Sequence, residues 1–90
     1  MEREQQIVDS FAAIVRLLVD RPDCVAVSIV GTARGDVLLL EVHPSDVGKV
    51  VGKQGRTAHS LRVIMHAICS QTRTFLQLDI IEAQIKEIEH

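Results

Sequence analysis

Ile7, Phe11, Ile14 and Leu18 recur at steps of four, three and four, and Val8, Ala12, Val15 and Val19 widen the same stripe. This 3.6-residue period predicts an amphipathic helix from about Gln5 to Val19. Asp20-Arg21-Pro22-Asp23 should stop it, because proline disfavours helical geometry in the residue before it and has no N–H to donate. The period then drops to two. Val25, Val27 and Ile29 alternate with Ala26 and Ser28, as in a half-buried strand. Turn chemistry in Gly31-Thr32-Ala33-Arg34-Gly35-Asp36 separates it from a second strand, Val37 to Val42, with Leu38, Leu40 and Val42 on one face. So short a polar loop makes a hairpin the default, leaving register and orientation open.

Pro44-Ser45-Asp46 places helix-capping oxygens ahead of Val47-Gly48-Lys49-Val50-Val51, which predicts a short helix. Gly52-Lys53-Gln54-Gly55 interrupts it. From Arg56 to about Ser70 a longer helix sets Ala58, Leu61, Ile64, Met65 and Ile68 on one arc, with His59, Val63, His66 and Ser70 opposite. Alternation returns from Thr74 to Ile81, where Leu76, Leu78 and Ile80 stand against Gln77 and Asp79. Ile81, Ile85 and Ile88 within Glu82 to Glu89 have the spacing of a short terminal helix. The predicted order is α-β-β-α-α-β, an α+β domain with helices packed on one face of a three-stranded sheet.

The 90 residues, at 10.0 kDa, fit one domain spanning residues 1–90, with a core over about 7–81 and a C-terminal extension at 82–90. No apolar run approaches the roughly 18 residues of a membrane span, and the first six residues lack the features of a signal peptide, so a soluble cytoplasmic protein is expected. Cys24 and Cys69 are too few for a disulfide scaffold and read as packing thiols. Phe11 and Phe75 are the only aromatics, with no Trp or Tyr, which disfavours folds that grip bases by stacking on exposed aromatics, such as the RRM and most OB-folds.

The net charge of -2 conceals a strong asymmetry. From Val47 to Arg73 the chain carries Lys49, Lys53, Arg56, Arg62 and Arg73 with no Asp or Glu, a local +5; the remainder has 5 basic and 12 acidic residues, or -7. One face is therefore suited to an anion. The two glycines of Gly52-Lys53-Gln54-Gly55 carry no Cβ, so backbone amides there can approach a bulky anion such as a phosphodiester. The helix that starts at Arg56 presents unpaired N–H groups and a positive dipole end, and Lys53 and Arg56 add whole charges beside it.

In this setting the run Asp46-Val47-Gly48-Lys49-Val50-Val51-Gly52-Lys53-Gln54-Gly55-Arg56-Thr57 resembles the signature of the KH RNA-binding domain. The preceding helix and strand make it similar to the type II arrangement, and the small size to the bacterial KhpA family, over about Ile7 to Ile80. Val51 stands where that family often has Ile, a minor loss of volume. The resemblance implies a domain that holds about four single-stranded RNA nucleotides, with the G-x-x-G loop clamping their backbone and the bases in a shallow groove between helices and a strand. Gly48, Val51 and Ala58 would then floor the groove, with Lys49 and Arg62 at its border. It also implies an RNA chaperone or post-transcriptional regulator that forms homodimers and acts with a larger, KhpB-like partner in control of cell envelope growth and cell length.

Other chemistries fit less well. Gly48-x-x-x-Gly52-Lys53 is one residue short of a nucleotide-binding P-loop, and Gln54 replaces the hydroxyl that would reach Mg²⁺. His59 and His66 are about 10 Å apart along their helix, too far to share a metal ion, and Ser60 does not face His59. No enzyme, metal or cofactor is expected. The alternative function is a protein-interaction module: Val63 interrupts the polar arc of the long helix, and Ile64 and Ala67 flank it, an apolar strip suited to a second copy or another chain.

Overall fold

The computed structural model describes residues 2–84. Three strands, β1 (Ala26–Thr32), β2 (Gly35–Val42) and β3 (Leu76–Glu82), lie in the order β1-β2-β3. β1 and β2 form the expected hairpin, antiparallel with Val27 opposite Leu40 and Ile29 opposite Leu38. Its two-residue tip, Ala33-Arg34, is closed by the Thr32 hydroxyl, which donates to the Gly35 carbonyl and accepts from the Arg34 N–H. β3 joins the other side of β2 in parallel, with Leu38 opposite Leu78 and Leu40 opposite Ile80. A parallel pair needs a long crossover. Two helices supply it: α2 (Val47–Val51) and α3 (Arg56–Thr72).

The alternation read from the sequence decides which face of the sheet is covered. Leu38, Leu40 and Val42 have no exposed surface, and Leu76 and Leu78 are buried beside them. Against this face pack Ile7, Phe11 and Val15 of α1 (Glu2–Arg16), Val50 of α2, and Leu61, Met65 and Cys69 of α3. Ser28, Gln77 and Asp79, which point the other way, are exposed. The α+β architecture and element order agree with the sequence pattern.

Three details differ from it. α1 ends at Arg16, three residues before Val19; Leu17 is 87% exposed, while Val19 still packs on the core after the chain has left the helix. At its end the Leu17 and Leu18 N–H groups turn to the Ile14 and Val15 carbonyls at 3.1 and 2.9 Å, and beyond them the backbone N–H groups of Asp20 and Arg21 are engaged by a side chain from elsewhere, described below. On α3, Cys69 rather than Ile64 completes the buried arc with Ala58, Leu61 and Met65, and Ile64 is 41% exposed. Glu82 and Ala83 do not open a helix: Glu82 ends β3 and the Ala83 N–H continues the ladder to the Val42 carbonyl at 2.7 Å. The rest of the expected terminal helix lies outside the described residues.

Candidate nucleic-acid interface

The segment between α2 and α3 is a tight bend built on backbone conformations that side chains resist. Gly52 ends α2 at φ 81°, ψ 170°, its N–H bonded to the Gly48 carbonyl at 2.9 Å. A single 3₁₀ turn, Lys53–Gly55, follows, with Gln54 at φ 57° and Gly55 at φ 72°, both left-handed. The two glycines serve different ends. A Cβ on Gly52 would meet Thr57 Oγ1 and lie 2.7 Å from Thr57 Cβ and 2.8 Å from its backbone nitrogen, so only glycine fits. A Cβ on Gly55 would meet nothing within 4 Å, so there the backbone angle alone favours glycine.

Lys53 and Gln54 project from this bend into solvent. Gln54 Oε1 accepts a hydrogen bond from the Arg56 guanidinium at 3.2 Å, which holds that cation beside the first turn of α3. Lys53 makes no ion pair among the described residues. The N-terminal end of the 17-residue α3, with its positive dipole end, thus carries two accessible cations. Arg62, further along α3, reaches across to β3 and donates to the Leu78 carbonyl at 3.4 Å. His59, three residues earlier, is exposed on the same side of the helix.

The remaining sequence candidates are placed more unevenly. Gly48 is exposed and Val51 half-buried, whereas Ala58 is only 4% exposed and belongs to the interior. Lys49 is turned toward carboxylates, its Nζ 3.2 Å from Asp20 and 3.7 Å from Asp46. Val63, Ile64 and Ala67 form an exposed apolar strip on α3.

Asp46 has a role the sequence did not reveal. It does not cap α2; its carboxylate, without exposed surface, accepts the N–H of Asp20 at 3.2 Å and of Arg21 at 3.0 Å. The local turn is held instead by His43, whose Nδ1 accepts the Ser45 N–H at 3.0 Å. Burial pushes the Asp46 carboxyl up, but the two backbone donors, Lys49 and His43 outweigh it, and its pKa is lowered below the ordinary value. One buried carboxylate so ties the loop after α1 to the start of the helix that leads into the Gly52–Gly55 bend.

The chain is similar to known proteins of one family. The profile of the family described as KhpA/KhpB, KH domain, matches residues 9–80. Halalkalibacterium halodurans has a protein named RNA-binding protein KhpA that is 45% identical over 69 residues, covering 77% of this chain and 91% of the relative. The Bacillus subtilis protein of that name is 40% identical over 79 residues, 88% of this chain and 98% of the relative. The Mycobacterium tuberculosis one is 44% identical over 62 residues, 69% and 78%. No solved structure matches. With the profile spanning both strands of the hairpin, the glycine bend and β3 as far as Ile80, the chain belongs to the KhpA/KhpB family of KH domains.

Proposed function

We propose that this chain binds single-stranded RNA, clamping the phosphodiester backbone at Gly52-Lys53-Gln54-Gly55 and Arg56 and laying the bases along the side of α3 that faces β3. The observation that carries the reading is the bend itself: a glycine with no room for a Cβ, followed at the head of a long helix by an exposed Lys53 that has no ion pair among the described residues. That combination serves an anion that must come close to the backbone. Gly48 and Val51 border the groove on the α2 side and Arg62 on the α3 side; Ala58 supports the floor from beneath. Lys49 contributes less than Lys53, because Asp20 and Asp46 already share its charge.

Family kinship supports placing this activity in post-transcriptional control in the cytoplasm, with a second copy or a larger KhpB-like protein as partner and cell envelope growth as the process served. A self-associating module is favoured by one observation of its own, the exposed strip of Val63, Ile64 and Ala67.

The deciding experiment replaces Lys53 and Gln54 together by Asp. Both side chains are solvent-exposed, so the fold persists. Two carboxylates then face incoming phosphates, and like charges about 4 Å apart repel by roughly 4 kcal/mol at an effective dielectric of 20. Fluorescence anisotropy with single-stranded RNA should show binding abolished beside an unchanged thermal melt. Unchanged binding would reduce the bend to an ordinary turn and overturn the reading.

A further inference from the structure

The two aromatic residues have opposite fates. Phe11 is fully buried in the core, whereas Phe75 is 72% exposed just before β3. Phe75 lies at the far end of α3 from the glycine bend, where His66, Cys69, Ser70, Thr74 and Phe75 line an open cleft of about 290 Å³. This is at the small end for ligand pockets and suits one planar ring. The segment carrying Phe75 is held firmly. Arg73 closes α3 in a left-handed conformation with its N–H on the Cys69 carbonyl, the Thr74 N–H reaches the same carbonyl at 3.2 Å, and the Thr72 and Thr74 hydroxyls are 2.7 Å apart.

The cleft continues a line already on the surface. His59, Arg62 and His66 succeed one another at three- and four-residue steps along one side of α3, and Arg62 spans from there to β3. His66 lies ten residues beyond Arg56, roughly 15 Å along the helix axis. A strand gripped at Lys53 and Arg56 and running past Arg62 arrives at Phe75. No acidic residue occurs between Val47 and Arg73, so α3 itself sets no carboxylate against a polyanion; Asp79, next to Leu78 on β3, alternates to the other face of the sheet. The cleft itself offers an aromatic face together with an imidazole and hydroxyls for base edges.

We propose that this cleft is an additional nucleobase subsite, in which a base of the same RNA strand, beyond those held near the glycine bend, stacks on Phe75. The inference rests on the RNA-binding reading and extends it from a short clamp to a track along the whole of α3.

The test uses randomised single-stranded RNA pools of four and ten nucleotides. Wild type should bind the longer pool more tightly, and Phe75→Ala should lose about tenfold on the longer pool, the scale of one base stack, with little change on the shorter. That loss should be the same at 50 and 200 mM salt, since no phosphate contact is removed. Phe75→Leu should fail like Ala. Because the chain has no Trp or Tyr, Phe75→Trp places a single reporter in the cleft, and the ten-nucleotide pool should quench it.

If Phe75→Ala or Phe75→Leu binds the longer pool as wild type does, while Lys53→Asp with Gln54→Asp still abolishes binding, the subsite is refuted and the clamp stands. If Phe75→Ala alters only sedimentation, the cleft is a protein contact and the subsite is likewise refuted. If wild type binds neither pool, the RNA-binding reading fails, and the subsite with it.

Discussion

The Asp46 carboxylate accepts the backbone N–H of Arg21 at 3.0 Å across a separation of 25 residues, and it does so with no exposed surface. Removing it strands two N–H groups and unpairs Lys49 on one side. Asp46→Ala should lower the melting temperature by about 10 °C, and Asp46→Asn, which keeps one acceptor, by about half as much. Differential scanning fluorimetry reads both. A melt unchanged by Asp46→Ala would mean that the tie between α1 and α2 contributes nothing to stability.

The same group sets an acid limit. Its folded pKa lies below the unfolded value near 4, so its stabilisation is fully present above that value and is lost as pH falls through the folded pKa. Urea midpoints of wild type and Asp46→Asn should differ at pH 7 and converge toward pH 3. A gap that widens on acidification would reverse the assigned direction.

Gly52 and Gly55 should respond differently to the same substitution. Gly52→Ala combines positive φ with a clash against Thr57 and should destabilise by about 3 kcal/mol, while Gly55→Ala, in open space, should cost about 1 kcal/mol for the left-handed backbone alone. Chemical denaturation separates the two. Thr57→Ala should only partly rescue Gly52→Ala, because the Thr57 backbone nitrogen also stands 2.8 Å from the new Cβ.

Lys53 and Lys49 are equally basic but differently engaged. Lys53→Ala should lower the slope of log affinity against log salt by about 1, from a wild-type slope equivalent to two to four phosphates, and Lys49→Ala by less than half as much. Anisotropy titrations from 50 to 200 mM salt measure both slopes. Equal reductions would show that RNA displaces Asp20 and Asp46 from Lys49.

Val63 is 52% exposed, so Val63→Asp should leave the melt nearly unchanged while shifting sedimentation toward monomer. Ile64→Asp should behave alike, since Ile64 is 41% exposed. A wild-type chain that is monomeric at high concentration would dismiss self-association through this strip.

Strand identity, the hairpin and the glycine bend were legible because each depends on local spacing: Leu38, Leu40 and Val42 alternate, and Gly52 and Gly55 punctuate two helical runs. Less local features were not. The loop after α1 is anchored by Asp46, 26 residues downstream of Asp20, and no periodicity can report such a contact. Ser45 and Asp46 read as caps because those residue types cap helices, yet here the turn is held by His43 and the carboxylate is spent on a distant loop. Ile64 and Cys69 lie at opposite margins of the apolar arc of α3, and only the packing partners decide which is covered. Lys49 and Lys53 look alike in a charge count; the presence of Asp20 beside one of them is a tertiary fact.

The parallel pairing of β2 with β3 gives the glycine bend a place in time as well as in space. The β1–β2 hairpin closes over two residues, but Leu38 meets Leu78 only after the intervening α2, bend and α3 have been traversed. Synthesis proceeds from the N-terminus, so the hairpin can form while the bend is still attached to an unanchored helix. The bend becomes fixed relative to the groove when β3 docks, and Arg62 finds the Leu78 carbonyl at that step. Premature termination before Leu76 would leave every element of the clamp in the chain but remove β3, the strand that Arg62 reaches across the groove.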